Sequence, residues 1–434
     1  MTIQKKKGFF DLQTNNTTVS REILAGITTF LTLAYILMVN PDILGAAGMP
    51  KDGVFTATAL ASAIATLVMA FAANLPVALA PGMGLNAFFA FSVVIGMGYS
   101  WQLALTAVFL EGILFIILSL FNVREAIIKA IPDNLKKAVA VGIGLFIALI
   151  GFKNAGIVIG DQATLIALGD LTTGSALLAI IGLVITVILY AWKLPGSILI
   201  GILVTAVIGI PLGVTDVSGF SSPFSLPAAP LFWAFDFSNI FTFQFFTVFF
   251  TFLFVDIFDT VGTLVGVATQ AGLIGKSGEI PRVKQALLAD AIGTVAGAAL
   301  GTSTVTSYVE STAGVAAGGR TGLTALTTSV LFIVALFFSP LFLLIPSAAT
   351  APALIIVGFL MMQAVGGINF KDPTEGIPAF LAIVMMPFAY SISEGVVYGL
   401  LSYVILKAAT LKFKDVSIVT WILFVIFILR FFIE

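Results

Sequence analysis

Carboxylate side chains occur inside long apolar segments of this sequence, where an ionisable group is costly and usually has a function. Asp256 and Asp259 stand three residues apart in one such segment, a spacing that puts both on one helix face. Asp290 lies in the next segment and Glu310 opens the one after it. No Lys or Arg is a close sequence neighbour inside these stretches, so the pattern predicts that at least one carboxylate binds and releases a proton.

Structural roles are the alternative interpretation of these acids. Asp256 and Asp259 would then only bond a neighbouring backbone, and Asp290 would be the partner of the basic loop before it. Glu111 and Glu394 are better explained as structural residues than as functional ones.

Glu310 is the strongest single candidate because of its position. It stands where a strand-like stretch, 301–306, meets an unusually short apolar stretch over 307–318. A helix that starts near the middle of a membrane exposes free backbone N–H groups, and such groups can bind a substrate.

A matching break precedes a second short apolar stretch, 84–97. Within it, the amide of Asn86 offers both a donor and an acceptor. Gly84 would let a ligand approach the backbone, and Phe88 would offer a ring for stacking, although a Phe in this chain is more often core or lipid-facing. Both breaks therefore carry groups that can hold a small molecule.

The chemistry of these groups limits the ligand. The candidate groups are carboxylates, an amide and backbone groups, with no cation nearby. The carboxylates would repel an anion, and the whole set suits a neutral or cationic solute rich in N–H donors. A nucleobase fits, with its ring N–H and amino groups on the carboxylates and its ring acceptors on backbone N–H groups. An amide or an amine fits these residues as well.

The elements that position these residues must be membrane helices. Of the 434 residues, 59% are hydrophobic and only 9% are charged, against about 25% in soluble domains. This composition argues against a soluble enzyme or a disordered chain, and the continuous apolar runs argue against a transmembrane β-barrel. A net charge of −1 leaves no basic surface for nucleic acid, and the lack of Cys and His nearly excludes thiol or metal catalysis.

The hydrophobic pattern predicts an all-α polytopic membrane protein with fourteen spans. They cover 21–40, 54–73, 84–97, 101–121, 137–153, 174–191, 196–213, 241–269, 284–299, 307–318, 322–343, 350–366, 376–391 and 393–409, and a further apolar run covers 416–433. If the polar segment 1–20 lies on the cytoplasmic side, seventeen basic residues also lie on that side and only Lys51 and Lys153 lie on the outer side. Loops on the cytoplasmic side of a membrane protein carry such an excess of Lys and Arg.

The two halves of the chain are weakly similar. Segment 131–144 resembles 345–358 at the same spacing, and Thr28, Phe30 and Thr32 match Thr247, Phe249 and Thr251. Seven spans in each half is an odd number, so the second copy must run opposite to the first. Such an inverted repeat is the usual plan of a secondary transporter.

Four stretches resemble the nucleobase–cation symporter-2 superfamily of xanthine and uracil permeases, in particular its AzgA-like adenine/guanine/hypoxanthine branch. They read REILAGITTFLTLAYI (21–36), APGMGLNAFF (80–89), DIFDTVGT (256–263) and GTSTVTSYVES (301–311). Residues 310–314 read ESTAG, whereas uracil and xanthine carriers show an acid or Gln, then Asn, then Gly. That difference favours purine bases over uracil or xanthine.

The resemblance implies a 7+7 inverted repeat with short strands before half-helices 3 and 10. A core domain, 21–121 with 241–343, would move against a gate domain, 137–213 with 350–409, while 416–433 is additional. The base would bind between spans 3, 8 and 10, with the proton as coupling ion and no other cofactor, and the family implies a homodimer. The implied site residues are Asp256, Asp259, Glu310, Asn86, Gly84, Phe88, Thr263 and Ser311, with Asp290 added for proton coupling.

The sequence thus predicts a proton-coupled importer of purine bases rather than an enzyme. Four alternatives stay open at this point: an anion carrier of the sulfate type with the same architecture, a sodium-coupled nucleobase carrier, an intramembrane aspartyl enzyme built on Asp256 and Asp259, and a passive channel.

Overall fold

The computed structural model describes residues 9–120, 132–172, 174–273 and 281–433, so the first eight residues of the predicted inside segment lie outside it. Its helices are α1 (Val19–Leu33), α2 (Ile36–Ala46), α3 (Lys51–Val68), α4 (Met83–Ala87), α5 (Trp101–Leu120), α6 (Asp133–Asn154), α7 (Gly174–Ala191), α8 (Ser197–Gly209), α9 (Phe243–Gln270), α10 (Val283–Leu300), α11 (Ser311–Ala316), α12 (Gly322–Ala335), α13 (Ser339–Leu343), α14 (Ser347–Met362), α15 (Pro373–Phe388), α16 (Ile392–Ala409) and α17 (Ile418–Ile433).

Short irregular helices and strands complete the chain. π-Helical turns follow α3 (Met69–Ala73) and α4 (Phe88–Gly96), and 3₁₀ turns cover Leu336–Phe338, Gln363–Gly367 and Phe413–Asp415. The strands are β1 (Leu79–Pro81), β2 (Val158–Asp161), β3 (Leu165–Leu168) and β4 (Val305–Ser307). The exposed hairpin of β2 and β3 is not predicted by the hydrophobic pattern.

The described helices fit a multi-pass membrane protein. Nine helical stretches are long and apolar enough to cross a membrane, and five shorter apolar helices accompany them among the described residues. One shorter helix is Met83–Gly96, which lies at the predicted half-span 84–97. The predicted half-span 307–318 contains only the six-residue helix α11, preceded by β4.

The helices pack in two groups. In the first, α1 packs on α12, and α10 packs on α3 and α5. In the second, α6 packs on α14 and α15, and α15 packs on α16. Helix α4 contacts α6, and α9 contacts α6 and α16, so contacts also join the two groups.

A buried acid joins α1 to α12. Glu22 is fully buried, and its carboxylate accepts hydrogen bonds from the backbone N–H groups of Arg320, Thr321 and Thr324 and from the Thr324 hydroxyl. These N–H groups belong to the start of α12 and the two residues before it, where a helix has no carbonyl partners of its own. Glu22 therefore has a structural role, which the sequence pattern did not indicate.

The additional helix α17 is held at its start by a buried cation. Lys407 on α16 is 3% exposed and forms ion pairs with Glu375 (2.8 Å) and with Asp415 (3.3 Å), just before α17. Beyond this anchor, Leu423 and Phe427 of α17 are buried in one cluster with residues of α6, α15 and α16.

Candidate functional site

The two predicted helix breaks meet in the structure. Strands β1 and β4 pair antiparallel, with Ala80 opposite Thr306. The ladder continues on both sides, because Gly82 N–H donates to the Thr304 carbonyl (2.9 Å) and Tyr308 N–H to the Ala78 carbonyl (3.0 Å). Since each strand leads directly into a short helix, this pairing brings the starts of α4 and α11 together.

Asp259 and Glu310 lie where β1 pairs with β4 and where α4 and α11 begin, a place that we call the strand crossing. Asp259 is on α9 and Glu310 immediately precedes α11, and these two elements pack against each other. Both side chains are partly exposed, and they are close enough to interact electrostatically. Among the described residues, no Lys or Arg forms an ion pair with either carboxylate.

Two tyrosines complete the cluster. The Tyr35 hydroxyl donates to Oε1 of Glu310 (2.6 Å), and the Tyr308 hydroxyl donates to the Pro81 carbonyl (2.5 Å). Both phenols are within electrostatic reach of Asp259 and Glu310. Neither tyrosine was among the predicted site residues, although a signal exists. The chain has 40 Phe and only 7 Tyr, and a Tyr buried in an apolar segment usually has a hydrogen-bond partner.

Asp256 and Asp290 form a second, fully buried cluster with Thr260. The Thr260 hydroxyl donates to Oδ1 of Asp290 (2.6 Å), lies 3.5 Å from Oδ1 of Asp256, and shares a hydrogen bond with the Thr306 hydroxyl on β4 (2.7 Å). The two acids of α9 therefore have different surroundings. Asp259 is partly exposed, whereas Asp256 is buried with Asp290 of α10.

Asn86 ties the two breaks together. Its Nδ2 donates to the Pro81 carbonyl (3.3 Å), and its Oδ1 accepts a hydrogen bond from Ser303, just before β4. The side chain is fully buried. The amide thus uses both its donor and its acceptor inside the protein, and its predicted contact with substrate stays a prediction.

The space beside the glycines of the first break is occupied by other side chains of the protein. A Cβ on Gly84 would lie 2.6 Å from Cγ2 of Ile143 on α6, and a Cβ on Gly82 would lie 2.5 Å from Cγ2 of Thr306. The same Cβ on Gly82 would lie 3.6 Å from Oδ2 of Asp259. Gly84 therefore permits the close approach of α6, a reason that the sequence analysis did not anticipate.

The remaining predicted site residues are distributed around the crossing. The Phe88 ring is fully buried and packs edge-on against Phe252 of α9, with centroids 4.8 Å apart. The Ser311 hydroxyl accepts from the Ala78 N–H (3.0 Å), and Thr263 is partly exposed one turn after Asp259. Phe88 and Ser311 thus have protein partners, and their roles toward a ligand stay predictions.

The predicted structural acids have buried or terminal positions. Glu111 is fully buried, and its Oε2 accepts from the Thr304 hydroxyl at 3.4 Å. Glu394 lies in the first turn of α16. Among the described residues, no group of three or more acidic, Cys or His side chains could hold a metal ion.

Comparisons with known proteins agree over nearly the whole chain. The xanthine/uracil permease model, described as "Permease family", matches residues 20–397. The guanine/hypoxanthine permease PbuO of Bacillus subtilis (strain 168) is 48% identical over 98% of this chain and 100% of its own length. The adenine permease AdeQ of Escherichia coli (strain K12) is 44% identical over 97% of this chain and 95% of its own.

Solved structures share the fold at low identity. The transmembrane domain of a cyanobacterium bicarbonate transporter, BicA, has a TM-score of 0.66 and 15% identity, and covers 88% of this chain and 97% of its own. The murine anion transporter Slc26a9 in the inward-facing state has a TM-score of 0.67 and 13% identity, and covers 91% of this chain and 68% of its own. At these identities the likeness concerns the fold alone.

Proposed function

Because the chain belongs to the nucleobase–cation symporter-2 family of permeases, we propose that it imports adenine, guanine or hypoxanthine together with protons. Family membership makes the chain a multi-pass membrane transporter of the nucleobase type and not an enzyme. The purine specificity rests on the relatives named above, and the proton coupling rests on the acids.

One observation carries the site assignment: Asp259 and Glu310 both lie beside the paired strands β1 and β4, where the two broken helices begin. A purine presents ring N–H and amino groups, which two carboxylates can accept. Thr263 lies one turn after Asp259, and Asn86, Gly84, Phe88 and Ser311 belong to the same crossing. Carboxylates without a paired cation favour such a donor-rich ring over an anion.

An inverted repeat is supported by contacts between residues that the repeat makes equivalent. Equivalent residues touch each other only near a two-fold axis. A Cβ on Gly144 of α6 would lie 2.7 Å from the carbonyl of its counterpart Gly358 on α14, and the equivalent strands β1 and β4 pair antiparallel. In addition, Thr32 of α1 and its counterpart Thr251 of α9 each donate to the carbonyl four residues earlier.

We also propose that the two packed helix groups are the core and gate domains. The core would comprise α1–α5 and α9–α13, and the gate would comprise α6–α8 and α14–α16. Gly84 of α4 lies against Ile143 of α6, so the substrate region borders the proposed interface between the groups. Movement of core against gate would then expose the site alternately to each side.

The coupling proton would be carried by the buried and partly buried carboxylates. Asp259 and Glu310 are partly exposed and would exchange protons with water in the site, whereas Asp256 and Asp290 connect to β4 through Thr260 and Thr306. A bare carboxylate is costly to enclose in low dielectric, so the empty deprotonated site would resist the transition. Transport would therefore require proton and base together.

The anion carrier is the alternative that the structural neighbours suggest, because those proteins are named as transporters of bicarbonate and of anions. Those proteins share the fold at 13–15% identity, while the permease relatives are 44–48% identical. Acids at the crossing would repel an anion. A sodium-coupled nucleobase carrier is the second alternative. The proposal itself also includes a homodimer, a location in the cytoplasmic membrane and an N-terminus on the inside.

Uptake of radiolabelled purines in cells that lack purine transport tests the function. We expect concentrative uptake that unlabelled adenine, guanine or hypoxanthine competes for, and whose product is the unchanged base. A label that equilibrates without accumulating would instead indicate a channel, and sulfate or bicarbonate uptake without purine uptake would indicate an anion carrier.

Proton coupling is tested with the same cells. Uptake should fall when the external pH rises or when a protonophore is added, because the inward proton gradient drives accumulation. Valinomycin-clamped vesicles with an imposed pH step provide the control for membrane potential. Accumulation that persists with protonophore and requires Na⁺ would replace the proton by sodium.

Asn86→Ala should weaken purine affinity about tenfold, the usual effect of losing a buried polar contact. The change removes the bonds to Pro81 and Ser303 that align the two breaks. Competition binding to purified protein measures this effect, and Asn134→Ala, on the exposed end of α6, is the matched control. Unchanged affinity in Asn86→Ala would remove Asn86 from the site.

A further inference from the structure

Tyr35 occupies the two-residue break between α1 and α2. Its side chain is fully buried in the main apolar cluster, which fixes the ring, so the hydroxyl has one position relative to the strand crossing. A Tyr side chain has only two rotatable bonds before the ring, so burial defines the place of its hydroxyl well.

Two groups orient the Glu310 carboxylate: the Tyr35 hydroxyl and the backbone N–H of Glu310 itself. Glu310 is the residue immediately before α11, and its side chain makes no capping hydrogen bond to that helix. Within the described part of the chain, the Tyr35 hydroxyl is the side-chain partner of Glu310, through Oε1 at 2.6 Å. This distance lies in the normal range for an O–H···O hydrogen bond.

The hydrogen bond from Tyr35 gives the two carboxylate oxygens of Glu310 different surroundings. A phenol has one proton to donate, and Tyr35 gives it to Oε1. Oε2 makes no hydrogen bond to another described residue. Since the side chain is partly exposed, Oε2 is the oxygen that can accept an N–H from a bound ring.

We propose that Tyr35 is a positioning residue for purine binding, which holds Oε1 of Glu310 so that Oε2 accepts a ring N–H. This inference rests on the proposed function and adds a residue to it. Without the hydroxyl, Glu310 would sample several rotamers, and part of the binding energy would be spent on selecting one.

Tyr35→Phe tests the proposal, because Phe keeps the ring and its packing and removes only the hydroxyl. We expect the KM for purine uptake to rise about tenfold or more, as for a lost hydrogen bond to a charged group. Vmax per folded transporter should change little. Tyr403→Phe is the matched control: Tyr403 is also buried, and its hydroxyl bonds the Asp415 carbonyl near α17.

Purine analogues separate a positioning role from a merely structural one. The test uses a set of hypoxanthines, each methylated at one ring nitrogen. For one of them, Tyr35→Phe and the wild type should have equal affinity, because that analogue lacks the N–H that Oε2 accepts. If Tyr35→Phe lowers the amount of folded protein, competition binding to the purified folded fraction replaces uptake.

Four results would contradict the proposal. An unchanged KM in Tyr35→Phe overturns it, as does an equal KM increase in Tyr403→Phe or an equal loss for every methylated analogue. A wild-type protein that takes up no purine base overturns the proposed function, and the role of Tyr35 with it. Wild-type uptake with a normal Tyr35→Phe overturns the Tyr35 inference alone.

Discussion

Glu310→Gln and Asp259→Asn should each reduce concentrative purine uptake at least about 100-fold while the protein still reaches the membrane. Each change keeps the size of the side chain and removes its negative charge and its ability to carry a proton. Glu310→Gln also brings an NH₂ group into the cluster of Asp259, Tyr35 and Tyr308, where a carboxylate oxygen now accepts. Initial-rate uptake and direct binding measure the two effects separately.

A matched control identifies nonspecific effects of removing an acid. Asp161→Asn changes an exposed carboxylate in the β2–β3 hairpin and should leave uptake unchanged. If Glu310→Gln or Asp259→Asn still binds purine but no longer accumulates it, that acid is needed for coupling more than for binding. Wild-type uptake in both variants would refute the site.

Cross-linking the proposed core to the proposed gate should abolish uptake. The Phe91 ring, after α4, lies edge-on to Tyr390, between α15 and α16, with centroids 6.2 Å apart. The chain has no Cys, so Phe91→Cys with Tyr390→Cys introduces the only two thiols. A short bifunctional thiol reagent should then trap one state, because alternating access requires this contact to open.

The control cross-link lies within the gate and shares one of its positions. The rings of Phe146 on α6 and Tyr390 are 5.2 Å apart, and both residues belong to the proposed gate. Phe146→Cys with Tyr390→Cys should therefore react with the same reagent and keep its uptake. Equal inhibition of both pairs, relative to each untreated variant, would contradict rigid-body movement between core and gate.

The helical membrane architecture could be predicted because the membrane restricts the sequence strongly. Every backbone group must be bonded within its own helix in hydrocarbon, so helices appear as long apolar runs. Helix α7 (Gly174–Ala191) covers its predicted range, and α9 (Phe243–Gln270) lies within one or two residues of its own. The exposed β2–β3 hairpin is outside this restriction, and nothing in the apolar pattern indicated it.

The acids could be found from sequence, but their partners could not. Side chains three residues apart on a helix differ by about 60° in direction, which is enough to send them to different neighbours. Asp256 and Asp290 both contact the Thr260 hydroxyl, whereas Asp259 lies with Glu310 beside the paired strands. Only the packing of α10 and α11 around α9 decides between these surroundings.

By itself, the sequence determined that this protein is a bundle of membrane helices, that two of them are broken, and that acids stand at one break and an amide at the other. Composition and hydrophobic period contain that information because hydrocarbon admits few alternatives. The tertiary structure decided that the breaks pair as strands, that Gly84 admits a helix, and that Tyr35 holds Glu310. Those facts depend on contacts between residues up to 275 positions apart, which no local pattern records.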